Sequence, residues 1–151
     1  MMAIAIVRCT TDNMRDWVRF RHVLWHEHTE EHLFAEVEAM LTRPDRFAGF
    51  LAVDDASGPV GFAEVSIRHD SVSGCKTSPV AFLEGIYVAP ESRRKGVAGQ
   101  LVQAVEGWAR QKGMTELGSD AYADNTVSHE MHRSLGFEDT ERVVFFRKAL
   151  E

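Results

Sequence analysis

Residues 82–98, FLEGIYVAPESRRKGVA, decide the fold of this chain. The apolar run from Phe82 to Val88 is typical of a buried strand, and a helical pattern begins at Val97 and continues to Lys112. A basic turn containing Gly96 joins the two. Because the start of a helix carries free N–H groups and the positive end of the helix dipole, this turn predicts an anion site. Phosphate is the expected occupant.

The turn differs from the phosphate loop of nucleotide hydrolases. Lys95 and Gly96 are followed by Val97, where those loops have Ser or Thr, so no hydroxyl is present to bind magnesium. The sequence therefore predicts phosphate binding without a metal.

Composition narrows the kinds of protein that the chain can be. Its 151 residues are 44% hydrophobic and 26% charged, which fits one globular domain. No apolar stretch approaches the roughly 20 residues needed to span a bilayer, and the flanks of 1–7 do not fit a signal peptide, so we expect a cytoplasmic protein with no membrane partner. Cys9 and Cys75 are expected to be reduced. A net charge of −6 argues against nucleic acid and favours a cationic partner.

Periodicity and capping residues predict an α+β fold. The predicted strands are 3–8, 47–53, 60–69, 80–88, 115–121 and 141–150, and the predicted helices begin after the cap at Asp12 and Asn13, after Thr29, at Val97, and at Asp124 or Asn125. Gly113 is expected in the left-handed conformation that ends the third helix, and Gly136 ends the fourth. This order predicts a parallel βαβ crossover at the centre of an otherwise antiparallel sheet.

Two motifs resemble the GNAT acyltransferases. Arg93, Gly96 and Ala98 match that superfamily's [Gln/Arg]-x-x-Gly-x-[Gly/Ala] pyrophosphate loop. The later segment, with Asn125, Ser128, His132 and the ending Leu135-Gly136-Phe137, is similar to its Asn-x-x-[Ala/Ser]-x-x-x-Tyr-x-x-x-Gly-Phe pattern, with His in place of Tyr. The resemblance implies a GNAT fold, with flanking helices, that uses acetyl-CoA as acetyl donor.

A narrower resemblance covers nearly the whole chain, as a single GNAT acetyltransferase domain of residues 1–151. The segments that carry it are Leu24-Trp25, 45–52, 60–64, 68–70, 78–86 and 140–148, which closely resemble the aminoglycoside 6'-N-acetyltransferases. One difference is Ser71, since relatives often have Tyr after the His-Asp pair. The implied reaction is direct acetyl transfer to a primary amine of a cationic aminoglycoside, which confers antibiotic resistance.

The resemblance assigns the donor site. The residues that would bind acetyl-CoA are Ile86, Tyr87 and Val88 through their backbone, Arg93, Arg94, Lys95, Gly96, Val97, Ala98 and Gly99 around the pyrophosphate, and Asn125. Helix capping is an equally good reason for Asn125. His132 stands where relatives have the Tyr assigned to protonating the leaving thiolate, and packing is the alternative role.

The resemblance also assigns the acceptor site, whose residues would be Trp25, His28, Glu84, Asp120 and Glu141. Glu84 would act through water or position the amine, and the alternative for this carboxylate is an internal ion pair with Arg68, Arg142 or Arg147. Relatives commonly form dimers through their C-terminal strands, so we expect a homodimer in which Glu141 serves the partner's site.

Other interpretations of the same residues remain. Of His26, His28 and His32, the last two share a helix face, but no third ligand stands at a matching spacing, so we expect no metal. A GNAT enzyme for polyamines or protein amino groups, or a non-catalytic acyl-CoA sensor, would keep the donor half of the site.

Overall fold

The computed structural model describes residues 3–151, so Met1 and Met2, at the start of the segment considered for a signal peptide, lie outside the described residues. In chain order the elements are β1 (Ile4–Arg8), α1 (Met14–Leu24), α2 (Glu30–Leu41), β2 (Phe47–Asp54), β3 (Gly58–Arg68), β4 (Val80–Val88), a short 3-10 turn (Pro90–Ser92), α3 (Val97–Gln111), β5 (Leu117–Ser119) and α4 (Thr126–Ser134). No described helix is both long enough and apolar enough to cross a membrane.

The strands form one mixed sheet in the order β1-β2-β3-β4-β5. The first four strands are antiparallel neighbours, and β5 runs parallel to β4 after the α3 crossover. This arrangement confirms the predicted α+β fold with a parallel βαβ unit. In the described residues β5 is the last strand of the sheet, so the parallel pair, predicted at the centre, lies at the edge.

The core explains why the strands have nearly continuous apolar sequences. Leu51 and Phe62 are cross-strand partners and pack in a buried cluster with Trp17 and Leu33 from the first two helices. Helix α3 contacts β1 to β4 through its own buried apolar stripe. A sheet buried on both faces loses the alternation of apolar and polar residues, which is what the sequence of β2 shows.

Most helix boundaries agree with the predictions. Thr29 caps α2 by accepting a hydrogen bond from the His32 N–H at 3.1 Å, and Asn125 caps α4 in the same way. Gly113 has φ +81°, the left-handed conformation expected after α3. Asn13 occupies the N-cap position of α1 as predicted, but its side chain makes no capping hydrogen bond: its oxygen accepts from the Thr10 N–H and orders the preceding turn.

The predicted last strand, Glu141–Leu150, is wrong. Residues 137–151 contain no strand, and Phe145 and Phe146 are 88% and 91% exposed. Alternating apolar residues favour an extended backbone, but a strand also needs a neighbour for its N–H and C=O groups. Strand β5 is also shorter than its prediction of 115–121.

The chain forms two compact units, one ending at Asp120 and one from Ala121 to Glu151. The first contains the sheet with α1, α2 and α3, and the second contains α4 and the C-terminal segment. That residues 1–151 act as a single domain remains a prediction.

Candidate active site

The end of β4 has an open edge. Strand β5 pairs with β4 only at Ala81–Leu83, whereas β4 continues to Val88. On its other side β4 is paired with β3 through Ile86, Tyr87 and Val88. No strand of residues 3–151 pairs with the open side of these three residues. Their outward backbone groups are therefore placed to bind an extended ligand.

A β-bulge interrupts β4 where this open edge begins. Glu64 is opposite Gly85 and Val65 is opposite Leu83, so Glu84 is an extra residue in β4. Bulges bend a strand and redirect its side chains, and they occur often beside active sites. Residues 84–87 are all half-buried, in contrast to the fully buried first half of the strand.

The Glu84 carboxylate is held by two residues of β3. Arg68 Nε donates to Oε2 at 3.0 Å, Arg68 Nη2 donates to Oε1 at 2.8 Å, and Ser66 Oγ donates to Oε2 at 2.5 Å. Of the three arginines predicted as alternative ion-pair partners of Glu84, Arg68 forms the ion pair. The hydrogen bonds that Arg68 donates to Glu84 raise the pKa of the Arg68 guanidinium above its usual value.

Asp120 belongs to the same charged group. It follows β5 directly, is exposed, and its charge also contributes to the raised pKa of Arg68. The guanidinium carbon of Arg68 lies 3.6 Å from the centre of the Phe82 ring, which fixes one face of the arginine. Two of the predicted acceptor carboxylates therefore act on one cation: Glu84 as its ion-pair partner, and Asp120 through its charge alone.

Trp25 lies beside this carboxylate cluster. It ends α1, with its N–H donating to the Arg21 carbonyl at 2.8 Å. A Cβ at Gly85 would come within 2.7 Å of the indole ring, so only glycine allows Trp25 this close to β4. Trp25 is half-buried, and its place at the border of the acceptor pocket remains a prediction.

His28 is exposed in the turn between the first two helices. Its ring stacks on His32 at 4.9 Å, and its Nε2 lies 3.7 Å from Glu27. Among residues 3–151 no three His, Cys, Asp or Glu side chains are arranged to hold a metal ion.

The start of α3 has the geometry of an anion site. Arg94 has φ +62° and Gly96 has φ +80°, which turns successive N–H groups into a concave nest. Gly96 is the N-cap, no side chain caps the helix, and its first turn has no acidic residue. The first helical bond runs from the Gln100 N–H to the Gly96 carbonyl, so the N–H groups of 97–99 have no helical partner.

Arg93 connects this loop to the open strand edge. Its Nε donates to the Val88 carbonyl at 2.8 Å, and its guanidinium lies 5.6 Å from the Tyr87 ring centre. Arg94 and Lys95 are exposed. Arg93 therefore orders the loop, and the two following cations face solvent.

The remaining predicted site residues belong to the second unit. Asn125 Oδ1 accepts from the Ser128 N–H at 3.1 Å, so its capping role is present. His132 Nδ1 lies 2.7 Å from the Ser128 carbonyl, and the ring meets Phe137 edge-on. Because a carbonyl only accepts, Nδ1 carries a proton, and Nε2 carries one only when the ring is charged. Glu141 is exposed in the C-terminal segment.

One buried polar network was missed by the sequence analysis. Glu64 on β3 accepts from Trp17 Nε1 at 2.8 Å and from Arg21 Nε at 2.7 Å. Burial works against the charge of Arg21, but the contacts with Glu64 and Glu36 together outweigh it and raise the pKa of this arginine. An acidic residue within the apolar β3 sequence was the available signal, the same signal that identified Glu84.

The cysteines fit inert roles. Both are free thiols, Cys9 is buried, and burial raises the pKa of the Cys75 thiol. A raised pKa keeps the thiol protonated and therefore poorly nucleophilic.

An open strand edge joined to a basic, uncapped helix start is the arrangement expected of an acetyl-CoA-dependent acetyltransferase. The sequence profile of the Acetyltransferase (GNAT) family matches residues 12–137, and the chain belongs to this family.

Its relatives narrow the class to the aminoglycoside N(6')-acetyltransferases. The chain is 49% identical over 135 residues to the aminoglycoside N(6')-acetyltransferase type 1 of Acinetobacter genomosp. 13, covering 89% of this chain and 91% of the relative. The solved structure of AAC(6')-Iy in complex with CoA is 43% identical, with a TM-score of 0.93 over 99% of this chain and 97% of that chain. AAC(6')-Iy in complex with the bisubstrate analogue CoA-S-monomethyl-acetylneamine has a TM-score of 0.92, covering 98% and 99% of the two chains at 43% identity.

Proposed function

We propose that this protein transfers the acetyl group of acetyl-CoA to the 6'-amine of an aminoglycoside antibiotic and thereby confers resistance. The observation that carries this proposal is the similarity over 98% of the chain to an enzyme whose complex joins CoA and an aminoglycoside in one ligand. The chain's own features agree with it, because a cluster of carboxylates for a cationic acceptor adjoins a cradle for a phosphorylated donor.

On the donor side, the backbone N–H groups at the start of α3 bind the pyrophosphate, with Arg94 and Lys95 adding positive charge. The open edge at Ile86–Val88 binds the extended arm of the donor and stabilises the negative charge that develops on its carbonyl oxygen. Acetyl-CoA itself supplies an activated thioester, so no covalent acyl-enzyme is required. Asn125 is a further proposed contact to the donor.

On the acceptor side, Glu84 positions the acceptor amine, and Asp120 and Glu141 attract the ammonium groups of the antibiotic. Trp25 and His28 border its sugar rings, since the indole and imidazole rings combine an apolar face with a polar edge. Binding both substrates together supplies the proximity that direct transfer needs.

The experiment for the reaction uses mass spectrometry. Purified protein is incubated with acetyl-CoA and kanamycin-type antibiotics, and the acetylated position is read from the product. Antibiotics with a hydroxyl in place of the 6'-amine, spermidine, and a peptide amine are the controls. Acetylation of the hydroxyl-bearing controls, or preference for spermidine or the peptide, would contradict the proposal.

The donor loop is tested by Gly96→Asp. A carboxylate here opposes the pyrophosphate, and an L side chain is strained at φ +80°, so acetyl-CoA affinity should fall much more than antibiotic affinity. Gly107→Asp, on α3 at a position where an added Cβ meets nothing within 4 Å, is the matched control. Calorimetry on both folded variants measures the difference, and unchanged affinity in Gly96→Asp would remove the loop from the donor site.

For His132 we propose the general-acid role toward the leaving thiolate. The carbonyl of Ser128 accepts from Nδ1 and holds the ring in one orientation, so Nε2 is the nitrogen that would donate the proton to the thiolate. His132→Phe should lower turnover with little loss of cofactor affinity. A normal rate with an unchanged pH profile would assign His132 to packing.

We propose a homodimer in the cytoplasm. The exposed apolar side chains of 143–146 support pairing of this segment with a second copy, which would bring Glu141 to the partner's acceptor site. Light scattering on the full chain and on Phe145→Ser/Phe146→Ser tests the dimer, and a monomeric parent protein would contradict it.

The free thiols of Cys9 and Cys75 support a reducing compartment, which cell fractionation tests.

A further inference from the structure

Arg68 has no place in the function proposed so far, yet it contacts the site directly. Its guanidinium makes two parallel hydrogen bonds to Glu84, while the side chain is 41% exposed and that of Glu84 is 26% exposed. Its position over Phe82 leaves its planar fork facing the carboxylate. Arginine is always charged, so Glu84 is paired with a permanent cation.

Three hydrogen-bond donors, Ser66 Oγ, Arg68 Nε and Arg68 Nη2, occupy most of the acceptor positions of the Glu84 carboxylate. A carboxylate has about four lone-pair positions. Ser66 and Arg68 Nε share Oε2, and Arg68 Nη2 takes one position on Oε1. One position on Oε1 is left for a hydrogen bond from a substrate.

Acetyl transfer requires an uncharged amine, because an ammonium has no lone pair. A carboxylate without a counterion would stabilise the ammonium and raise the pKa of the acceptor amine. The residue that attracts the antibiotic would then oppose the reaction. A carboxylate whose charge is already neutralised avoids this conflict, since it accepts a hydrogen bond from a neutral amine.

We infer that Arg68 is a positioning residue that cancels the charge of Glu84, so that Glu84 binds the acceptor as a neutral amine and does not serve as the general base. This inference rests on the proposed function of Glu84 in acceptor binding. Asp120 remains as the exposed carboxylate that attracts the other ammonium groups of the antibiotic.

The other charged groups around this pair do not supply the same effect. Glu64, the acidic neighbour on β3, is already paired with Arg21. Asp120 is negative and would raise the pKa of a nearby amine. Of the charged side chains described around Glu84, Arg68 is the cation in direct contact with it.

The experiment measures how kcat depends on pH, with acetyl-CoA and a 6'-amino aminoglycoside both saturating, because kcat reports groups in the bound complex. In Arg68→Gln the midpoint of the rise in kcat should move up by roughly 1 to 2 pH units. Arg68→Lys keeps the charge and should keep the midpoint within about half a unit of the parent protein. Arg68→Gln/Glu84→Gln removes both charges and should return the midpoint toward the parent value.

Arg43→Gln is the matched control, because Arg43 is also ion-paired but with Asp45 in an exposed turn. An unchanged midpoint in Arg68→Gln, or an equal shift in Arg68→Lys, would overturn the inference.

If Arg68→Gln does not fold, the parent protein gives a second test through the 15N shift of the labelled 6'-amine bound with CoA. A bound amine pKa above the free value would overturn the inference, and one at or below it supports the inference. Failure of the proposed function would differ from both results, since the parent protein would then acetylate no aminoglycoside.

Discussion

Glu64 and Glu84 lie on adjacent strands, and each is paired with an arginine through Nε and Nη2. Glu64 is 4% exposed, and its partner Arg21 is buried and also donates to the Leu33 carbonyl and to Glu36. The Glu84 side chain is 26% exposed, and its partner Arg68 is 41% exposed. An arginine–glutamate pair therefore occurs twice: Arg21–Glu64 lies in the core, and Arg68–Glu84 lies partly exposed at the candidate site.

The surroundings decide what each pair does. The Arg21–Glu64 pair joins α1, α2 and β3, and every partner is on an element of the core. The Arg68–Glu84 pair lies at the bulge, where the unpaired edge of β4 begins. Losing either partner of the buried pair leaves a desolvated charge, so this pair is needed for the stability of the fold. The half-exposed pair is accessible to a cationic substrate.

The largest expected effect comes from breaking the buried pair. Arg21→Met leaves Glu64 buried with Trp17 as its remaining donor, and the free energy of unfolding should fall by about 3 to 5 kcal/mol. Urea denaturation measures this change. Adding Glu64→Leu should restore most of the loss, because the unpaired charge is then gone.

Arg43→Met, at an exposed ion pair, is the control and should change stability by less than about 0.5 kcal/mol. If Arg21→Met cost no more than this control, the two carboxylate pairs would not differ in the way that their burial implies.

The second effect is on catalysis. Glu84→Gln leaves Arg68 without its counterion beside a cationic substrate, so kcat/KM for the aminoglycoside should fall about 10- to 100-fold, equivalent to roughly 1.4 to 2.7 kcal/mol. Stability should change by less than about 1 kcal/mol, since the pair is partly exposed. Steady-state kinetics and thermal denaturation measure the two quantities. A large loss of stability with normal kinetics would make Glu84 a second structural carboxylate.

Part of this contrast was predictable from sequence. The strand, basic turn and helix at 82–111 were predicted because their signals are local: an apolar run, a glycine, and a helical stripe. The acidic residue within an apolar strand identified Glu84, and Arg68 was among its predicted partners. The same rule applied to β3 would have identified Glu64.

The rest depends on contacts that no local pattern encodes. Arg21 is 43 positions from Glu64, and each residue alone is ordinary for its element. The bulge at Glu84 is a property of how β3 and β4 pair. The segment 141–150 has the alternation of a strand, but alternation does not supply the neighbour that a strand requires. The left-handed backbone at Arg94 has no signal in the residue type.

A smaller effect should follow from removing the hydrogen bond that Glu84 receives from Ser66. Ser66 is buried and donates to Oε2 at 2.5 Å, so Ser66→Ala should cost about 1 kcal/mol of stability and reduce kcat/KM only a few-fold. Arg68 still holds the carboxylate in this variant. A loss in kcat/KM as large as that of Glu84→Gln would mean that Ser66, and not the ion pair, sets the position of Glu84.

The smallest effect concerns a third carboxylate, which is stabilised by neutral donors and has no arginine. Glu116 accepts from the Thr77 hydroxyl at 2.6 Å and from the backbone N–H groups of Lys76 and Thr77, and the Thr77 hydroxyl is the main cause of its lowered pKa.

A carboxylate whose pKa is lowered in the folded state stabilises the protein at pH values above its unfolded pKa, which is near 4.5. This contribution disappears as the pH falls through the lower pKa of the folded state. Glu116→Gln should therefore be less stable than the parent protein at pH 7, and the difference should shrink below about pH 4.5. Thermal denaturation from pH 7 to pH 3 measures it. Glu106→Gln, at an α3 carboxylate, is the matched control variant. A constant difference across this range would mean that the Glu116 contacts stabilise the loop equally in both protonation states, and that a carboxylate needs an arginine partner to matter in this fold.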